Sequence, residues 1–278
     1  MQKRVVGTEK GCDRKEASSS SADDEEDEEG VMIRRKFVTR TASFEIEHGH
    51  MEETSNGRMT IDSFLDEMPV AWYHYIVILG LGLANASDST EVLAMNYINS
   101  EVDWKGKGYI SAAVFGGMLV GGLVVGAVSD SLGRRSLLIG GLCLNAVSGF
   151  LSSFMTSPIT MAFMRFLTGL SIGGTIPCQF TLATELMPQS KRGFFLTIIG
   201  WFWMIGSLYT AFMAVIILDW TSLSWRILIK FCSIPSMLAA ALVIVYVPES
   251  PRFLAVRGKY KEAADILNNM ARRCGAAT

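Results

Sequence analysis

The sequence predicts an all-α, multi-pass membrane bundle of six transmembrane helices, and three observations carry that reading. Half of the 278 residues are apolar, while the formal net charge is only −2. The charges gather into blocks separated by long apolar stretches, a pattern of repeated spans rather than of one large soluble core. Six of those stretches reach the roughly 20 residues that a bilayer-crossing helix needs.

Taken in order, residues 1–62 read as a disordered acidic tail. They hold the run Ser18–Ser21, the block Asp23–Glu29 and a basic patch at Arg34, Arg35 and Lys36. Like charges this dense repel one another and resist burial. Arg40-Thr-Ala-Ser43 has the form of a site for a basic-directed kinase. The first apolar run starts too late and runs too long for a cleavable signal peptide. Ile61, Phe64, Leu65 and Met68 then form an apolar stripe at helical spacing, expected to lie on the membrane surface ahead of the first span.

The six spans are expected at about 73–97, 109–130, 136–155, 158–184, 194–218 and 227–247. All are too long for strands, and a helix satisfies its own backbone in lipid. The second span carries Gly116, Gly117, Gly121, Gly122 and Gly126, and the fourth carries Gly169 and Gly173. Small residues at this spacing let helix backbones approach closely. Residues 251–278 close the chain, with an amphipathic helix over Lys259–Arg273 that sets Ala263, Ile266, Leu267 and Met270 on one face.

Charges inside or beside the spans are where the chemistry is expected. Asp88 and Glu91 stand three residues apart, hence on one face of the first span. Counting inward from Tyr97, Glu91 lies at a depth of roughly 9 Å and Asp88 at roughly 14 Å. Counting from Pro158, Arg165 of the fourth span lies at roughly 10 Å. Two acids and one base share a level of the bilayer, so an ion pair inside the bundle is expected, with one acid left to bind a proton or a cation.

A second charge set gathers at the span ends: Asp130 with Arg134 and Arg135, Glu185 with Arg192, and Glu249 with Arg252. With the amino terminus in the cytosol, ten basic residues fall on the inner segments and four on the outer ones, the asymmetry that sets orientation. None of the five cysteines is paired at metal-ligand or redox spacing, so no metal and no cofactor is expected. The lipid bilayer and a small-molecule solute are the expected partners, and nucleic acid is not.

Four motifs recur in order at span ends: Gly126-x-x-x-Asp130-x-x-Gly133-Arg134-Arg135, Arg165-x-x-x-Gly169-x-x-x-Gly173, Glu185-x-x-Pro188-x-x-x-Arg192-Gly193, and Pro248-Glu249-Ser250-Pro251-Arg252. Together they resemble the amino-terminal half of a major facilitator superfamily transporter, over about residues 60–270. Within that superfamily, Gly173-Gly-Thr-Ile-Pro177 followed by Glu185 is similar to the synaptic vesicle glycoprotein 2-like group. So are Phe202-Trp203-Met-Ile-Gly206 with Tyr209, and Asp88-x-x-Glu91. Leu182 stands where sugar porters carry a tyrosine, and the glycine–proline motif of drug–proton antiporters is absent from Thr197–Ala214.

The resemblance implies that Asp88 and Glu91 line a central cavity, and that Asp130 and Arg134 belong to a cytosolic gate. It implies a secondary active transporter of a small organic ion, working by alternating access with proton coupling, and not an enzyme. The alternatives are a transport-inactive scaffold or receptor, or a sugar or inorganic anion as the solute. Members of the superfamily have twelve spans in two halves with the site between them. A carboxyl-terminal six-helix half, or a dimer partner, is therefore expected beyond Thr278. The implied location is the plasma membrane or an endomembrane vesicle.

Overall fold

The computed structural model describes residues 60–275, apart from 103, 105–107 and 222. The acidic block, the basic patch and Arg40–Ser43 lie outside the described residues. A short helix, α1 (Ile61–Glu67), opens the described chain and begins one residue before the expected end of the tail. Its cap is reciprocal: Thr60 Oγ1 accepts from the Ser63 N–H at 3.2 Å, and Ser63 Oγ accepts from the Thr60 N–H at 3.0 Å, as a capping box does.

Ile61, Phe64, Leu65 and Met68 are all buried in the protein, in an apolar cluster shared with Leu186, Met187, Ala271 and Cys274. The stripe expected to face the membrane surface is covered by the chain itself. Its area is removed from water either way, and packing against protein also supplies fixed partners.

Six apolar crossings follow. They are α2 (Trp72–Glu101), α3 (Gly108–Leu132), α4 (Arg134–Ser152), α5 (Pro158–Leu186) and α6 (Arg192–Ala214), extended by a wider turn over Val215–Trp220. The sixth is broken into α7 (Trp225–Cys232) and α8 (Ile234–Tyr246). All six are long and apolar enough to cross a membrane. After them come α9 (Pro251–Val256) and α10 (Tyr260–Arg273). Ala263, Leu267 and Met270 of α10 are buried in the apolar core, with Ile266 against it, so the expected apolar face is the one that docks.

The break in the sixth span has a local cause. Pro235 has no N–H, and its ring conflicts with the carbonyl four residues earlier. That carbonyl, of Phe231, accepts instead from Tyr209 Oη at 3.0 Å, and the next, of Cys232, accepts from Thr90 Oγ1 at 3.2 Å. Side chains of α6 and α2 thus satisfy what the helix cannot, a necessity in lipid.

Close backbone contact between α3 and α5 is the tightest packing in the bundle. A Cβ on Gly117 or Gly121 would strike the carbonyl oxygen of Phe166 or Leu170, and one on Gly169 or Gly173 would strike that of Val114 or Met118. Gly116 and Gly126 face open space. Of the two small-residue faces in the sequence, one is used for packing and the other points outward. On the opposite side, α2 meets α6, where a Cβ on Gly206 would strike the Ala86 carbonyl.

Gly121→Leu should therefore cost more than the roughly 1–3 kcal/mol of ordinary overpacking, because the obstacle is backbone, while Gly116→Leu should be neutral. Thermal unfolding in detergent micelles measures both, and equal melting temperatures for the two variants would contradict this packing.

Candidate functional site

The arrangement begins with α2, whose central residues Asn85, Ser87, Asp88, Ser89, Thr90 and Glu91 are all buried. Polar groups are costly at this depth unless partnered, and each neighbouring helix sends one. Arg165 Nη1 of α5 donates to Glu91 Oε2 at 2.6 Å, and its Nη2 donates to Ser152 Oγ at 2.8 Å. Ser233 Oγ, at the break in the sixth span, donates to Glu91 Oε1 at 3.4 Å.

Gly149 of α4 makes the room: a Cβ there would fall 2.5 Å from Glu91 Oε1 and 2.8 Å from Ser233 Oγ. Asp88, one turn away, takes a different partner. Its Oδ2 accepts from Thr175 Oγ1 at 3.0 Å, and its Oδ1 has no hydrogen-bond partner among the described residues. A turn further along α2, Asn85 donates to the Ile199 carbonyl at 2.9 Å and accepts from Gln179 Nε2 at 3.0 Å.

The expected ion pair is thus present between Glu91 and Arg165, and Asp88 is the acid left over. Asp88 and Arg165 are 0% exposed and Glu91 is 1% exposed. Within this bundle both acids are enclosed by helices, and the guanidinium and hydroxyls that stabilise them come from α4, α5 and the α7–α8 break. Ser152, Thr175, Ser233 and Gly149 were not anticipated from sequence. The available signal was hydroxyl residues repeated inside otherwise apolar spans.

The second charge set assembles at the end of the bundle where the described chain starts and finishes. Gly133 joins α3 to α4 with φ of 89°, a left-handed conformation that favours glycine. Arg134 Nη2 lies 3.0 Å from Asp130 Oδ1, its Nε lies 3.8 Å from Glu185 Oε2, and its guanidinium stands 5.2 Å from the centre of the Phe253 ring. Arg257 donates to the carbonyls of Asp130 and Ser131. Asp130 itself is largely exposed, and Gly126, one turn earlier, faces open space.

Three pairings expected from sequence neighbours do not form among the described residues. Asp130 meets Arg134 but not Arg135, whose Nη2 donates to the Ile244 carbonyl. Glu249 does not bridge Arg252; its Oε1 accepts from the backbone N–H groups of Arg135 and Ser250 at 3.0 and 3.1 Å. The free N–H groups and positive dipole at the start of α4 attract the carboxylate. Glu185 does not bridge Arg192 either, since α5 ends at Leu186 and the turn led by Pro188 separates them. Arg192 and Arg252 both meet Asp62 of α1, Arg192 at 3.5 Å. Asp66 Oδ1 adds a bond from the Ser190 N–H at 3.1 Å. Asp62 was not anticipated; an acid in the first turn after a Thr–x–x–Ser cap was its only trace in the sequence.

Removing one partner of the buried pair, as in Arg165→Met, should cost about 3–5 kcal/mol, and adding Glu91→Gln should restore most of it. Unfolding of both variants in detergent tests this, and additive losses would show that the pair is uncoupled. Gly133→Ala should cost about 1–3 kcal/mol for its backbone conformation, and more because its Cβ would lie 2.6 Å from Glu249 Oε2. A melting temperature equal to the parent's would contradict this account of the turn.

Compared with known proteins, residues 70–275 match the family described as sugar (and other) transporter. The chain is 37% identical over 216 residues to synaptic vesicle glycoprotein 2A of Homo sapiens, covering 72% of this chain and 29% of that protein. It is 32% identical over 226 residues to human synaptic vesicle glycoprotein 2B, covering 75% of this chain and 33% of that one. It therefore spans about a third of the length of these relatives.

Among solved structures, the chain is similar to the xylose transporter XylE from E. coli in a partially occluded inward-open conformation. The TM-score is 0.63 at 22% identity, over 73% of this chain and 57% of that one. A second XylE structure, the proton:xylose symporter bound to 6-bromo-6-deoxy-D-glucose, matches with the same TM-score of 0.63 over 73% of this chain and 51% of that one. With the family matched through all six crossings and relatives at 37% and 32% identity, the chain belongs to the sugar (and other) transporter family of the major facilitator superfamily.

Proposed function

We propose that this bundle is one half of a secondary transporter that carries a small organic solute by alternating access, with Asp88 as the proton-coupling or cation-binding group. The observation that carries the proposal is the division of labour between the two acids. Glu91 is neutralised by Arg165, while Asp88 has one oxygen on Thr175 and one without a partner among the described residues. An intramembrane carboxylate without a counter-charge is a functional candidate by default, and it can change protonation state as the surrounding helices move. Arg165 and Glu91 then hold the wall against which Asp88 works.

With Glu91 paired to Arg165, Asp88 alone supports a preference for an organic cation among small organic ions. A proton:xylose symporter shares the fold, which supports proton coupling as chemistry this architecture accommodates.

The far end of the bundle supports a gate. Gly126, Asp130, Gly133, Arg134, Arg135, Glu185, Arg192, Glu249 and Arg252 are the residues proposed for it. Exposed Asp130 and outward-facing Gly126 leave room on α3 for a second six-helix bundle, either a carboxyl-terminal half or another copy. With the amino terminus in the cytosol, this gate closes the inner side.

The test is uptake of a panel of organic cations, organic anions and sugars at two external pH values, by the transporter assembled from this bundle and its second half. Asp88→Asn should abolish the pH dependence and lower concentrative uptake by an order of magnitude or more. Uptake that keeps its pH response in this variant overturns the coupling role. Proper assembly with no uptake of any solute overturns transport in favour of a scaffold or receptor.

A further inference from the structure

Where the ends of α2, α4 and α8 meet α10, the surface holds a cleft of about 290 Å³, whose lining includes Arg135 and Glu249 of the proposed gate. Tyr73, Arg135, Tyr246, Asn269, Met270 and Arg273 are among the residues that line it. Tyr73 and Arg135 are the second residues of α2 and α4, and Tyr246 is the last of α8. The cleft therefore sits at the ends of three crossings, at headgroup depth. Tyr73 Oη donates to the Tyr246 carbonyl at 3.0 Å and ties α2 to α8 there.

Its charge is unbalanced. Arg135 Nη2 donates to the Ile244 carbonyl at 2.8 Å, but its buried Nε has no acceptor among the described residues. The Arg273 guanidinium lies 5.3 Å from the centre of the Tyr73 ring and forms no ion pair among the described residues. The one acid on the rim, Glu249, is engaged by backbone N–H groups of Arg135 and Ser250. Two guanidinium groups thus face one small space without a carboxylate bound to either. A phosphate, with acceptor oxygens on several sides, suits two guanidinium forks.

Beside the cleft, Ile244 and Val245 on the last turn of α8 are exposed. Apolar surface at that level is suited to acyl chains rather than to water. We propose that this cleft binds the phosphate headgroup of an anionic phospholipid, held between Arg135 and Arg273, with its acyl chains along the exposed side of α8. Basic pockets between spans at the membrane surface recognise lipids by these means. Because Arg273 belongs to α10, the bound lipid also fastens the helix that follows the bundle to the crossings themselves.

The experiment uses the full chain in detergent micelles, with dioctanoyl phosphatidic acid as the probe. Bound lipid is counted by native mass spectrometry and stabilisation is read by thermal shift. Phosphatidic acid should bind and stabilise, dioctanoyl phosphatidylcholine should do so weakly, and Arg273→Gln should weaken phosphatidic acid about tenfold. Arg273→Lys should recover part of that loss, and melting without lipid should fall only slightly, because exposed Arg273 loses just its contact with the Tyr73 ring. Equal binding of the two lipids, or Arg273→Gln binding like the parent, overturns the proposal. Inorganic phosphate matching the phosphatidic acid shift at equal concentration overturns the lipid assignment in favour of a free-anion site.

Discussion

A charged pair buried inside a lipid-facing bundle is the constraint around which the rest of this structure is arranged. Glu91 and Arg165 are removed from solvent, and an uncompensated charge at that depth would cost more than most single interactions in the protein contribute. Two other crossings contribute to keeping the pair satisfied. Ser152 takes the second guanidinium nitrogen, Ser233 approaches the far carboxylate oxygen, and Gly149 leaves the volume that both need. Ser233 reaches the site because the sixth crossing is broken just before Pro235. The break is tolerated because Tyr209 and Thr90 cover the carbonyls it exposes.

At the opposite pole the charges obey a different logic. Near the surface, ion pairs are individually weak, and what organises them is geometry at helix ends. The amides at the start of α4 capture Glu249, the left-handed turn at Gly133 brings that carboxylate into range, and Arg134 stands between Asp130 and Glu185. The short helix α1 then connects two remote segments, the turn at Ser190–Arg192 and the start of α9 at Arg252, through Asp62 and Asp66. This end of the bundle is a woven surface in which neighbours in sequence rarely end as neighbours in space.

Much of the fold was legible in the sequence, because bilayer thickness fixes the length of each crossing and loop charges mark its ends. The six apolar runs, the amphipathic face of α10 and the common depth of Glu91 and Arg165 all follow from length and rise per residue. What could not be read depends on the rotation of each helix about its axis. Asp88 and Glu91 share a face, yet only packing decides which of them meets Arg165 and which meets Thr175. The glycines of α3 likewise occupy two faces, and nothing in their spacing says that Gly117 and Gly121 pack while Gly116 and Gly126 point outward. For α1, an apolar stripe is equally suited to lipid or to protein, and the choice was made by residues some two hundred positions away, at Ala271 and Cys274.

The interruption at Ser233 has a mechanical meaning. A continuous helix transmits torque from one membrane face to the other through its unbroken ladder of backbone bonds. In the sixth crossing that ladder is thinned at Ser233–Pro235, where the Phe231 and Cys232 carbonyls are pinned sideways to α6 and α2. Twist entering from either end is therefore absorbed at the interruption, within hydrogen-bonding distance of the Glu91 carboxylate. The crossing acts less as a shaft than as two levers sharing a pivot, and the pivot is set against the buried Glu91–Arg165 pair.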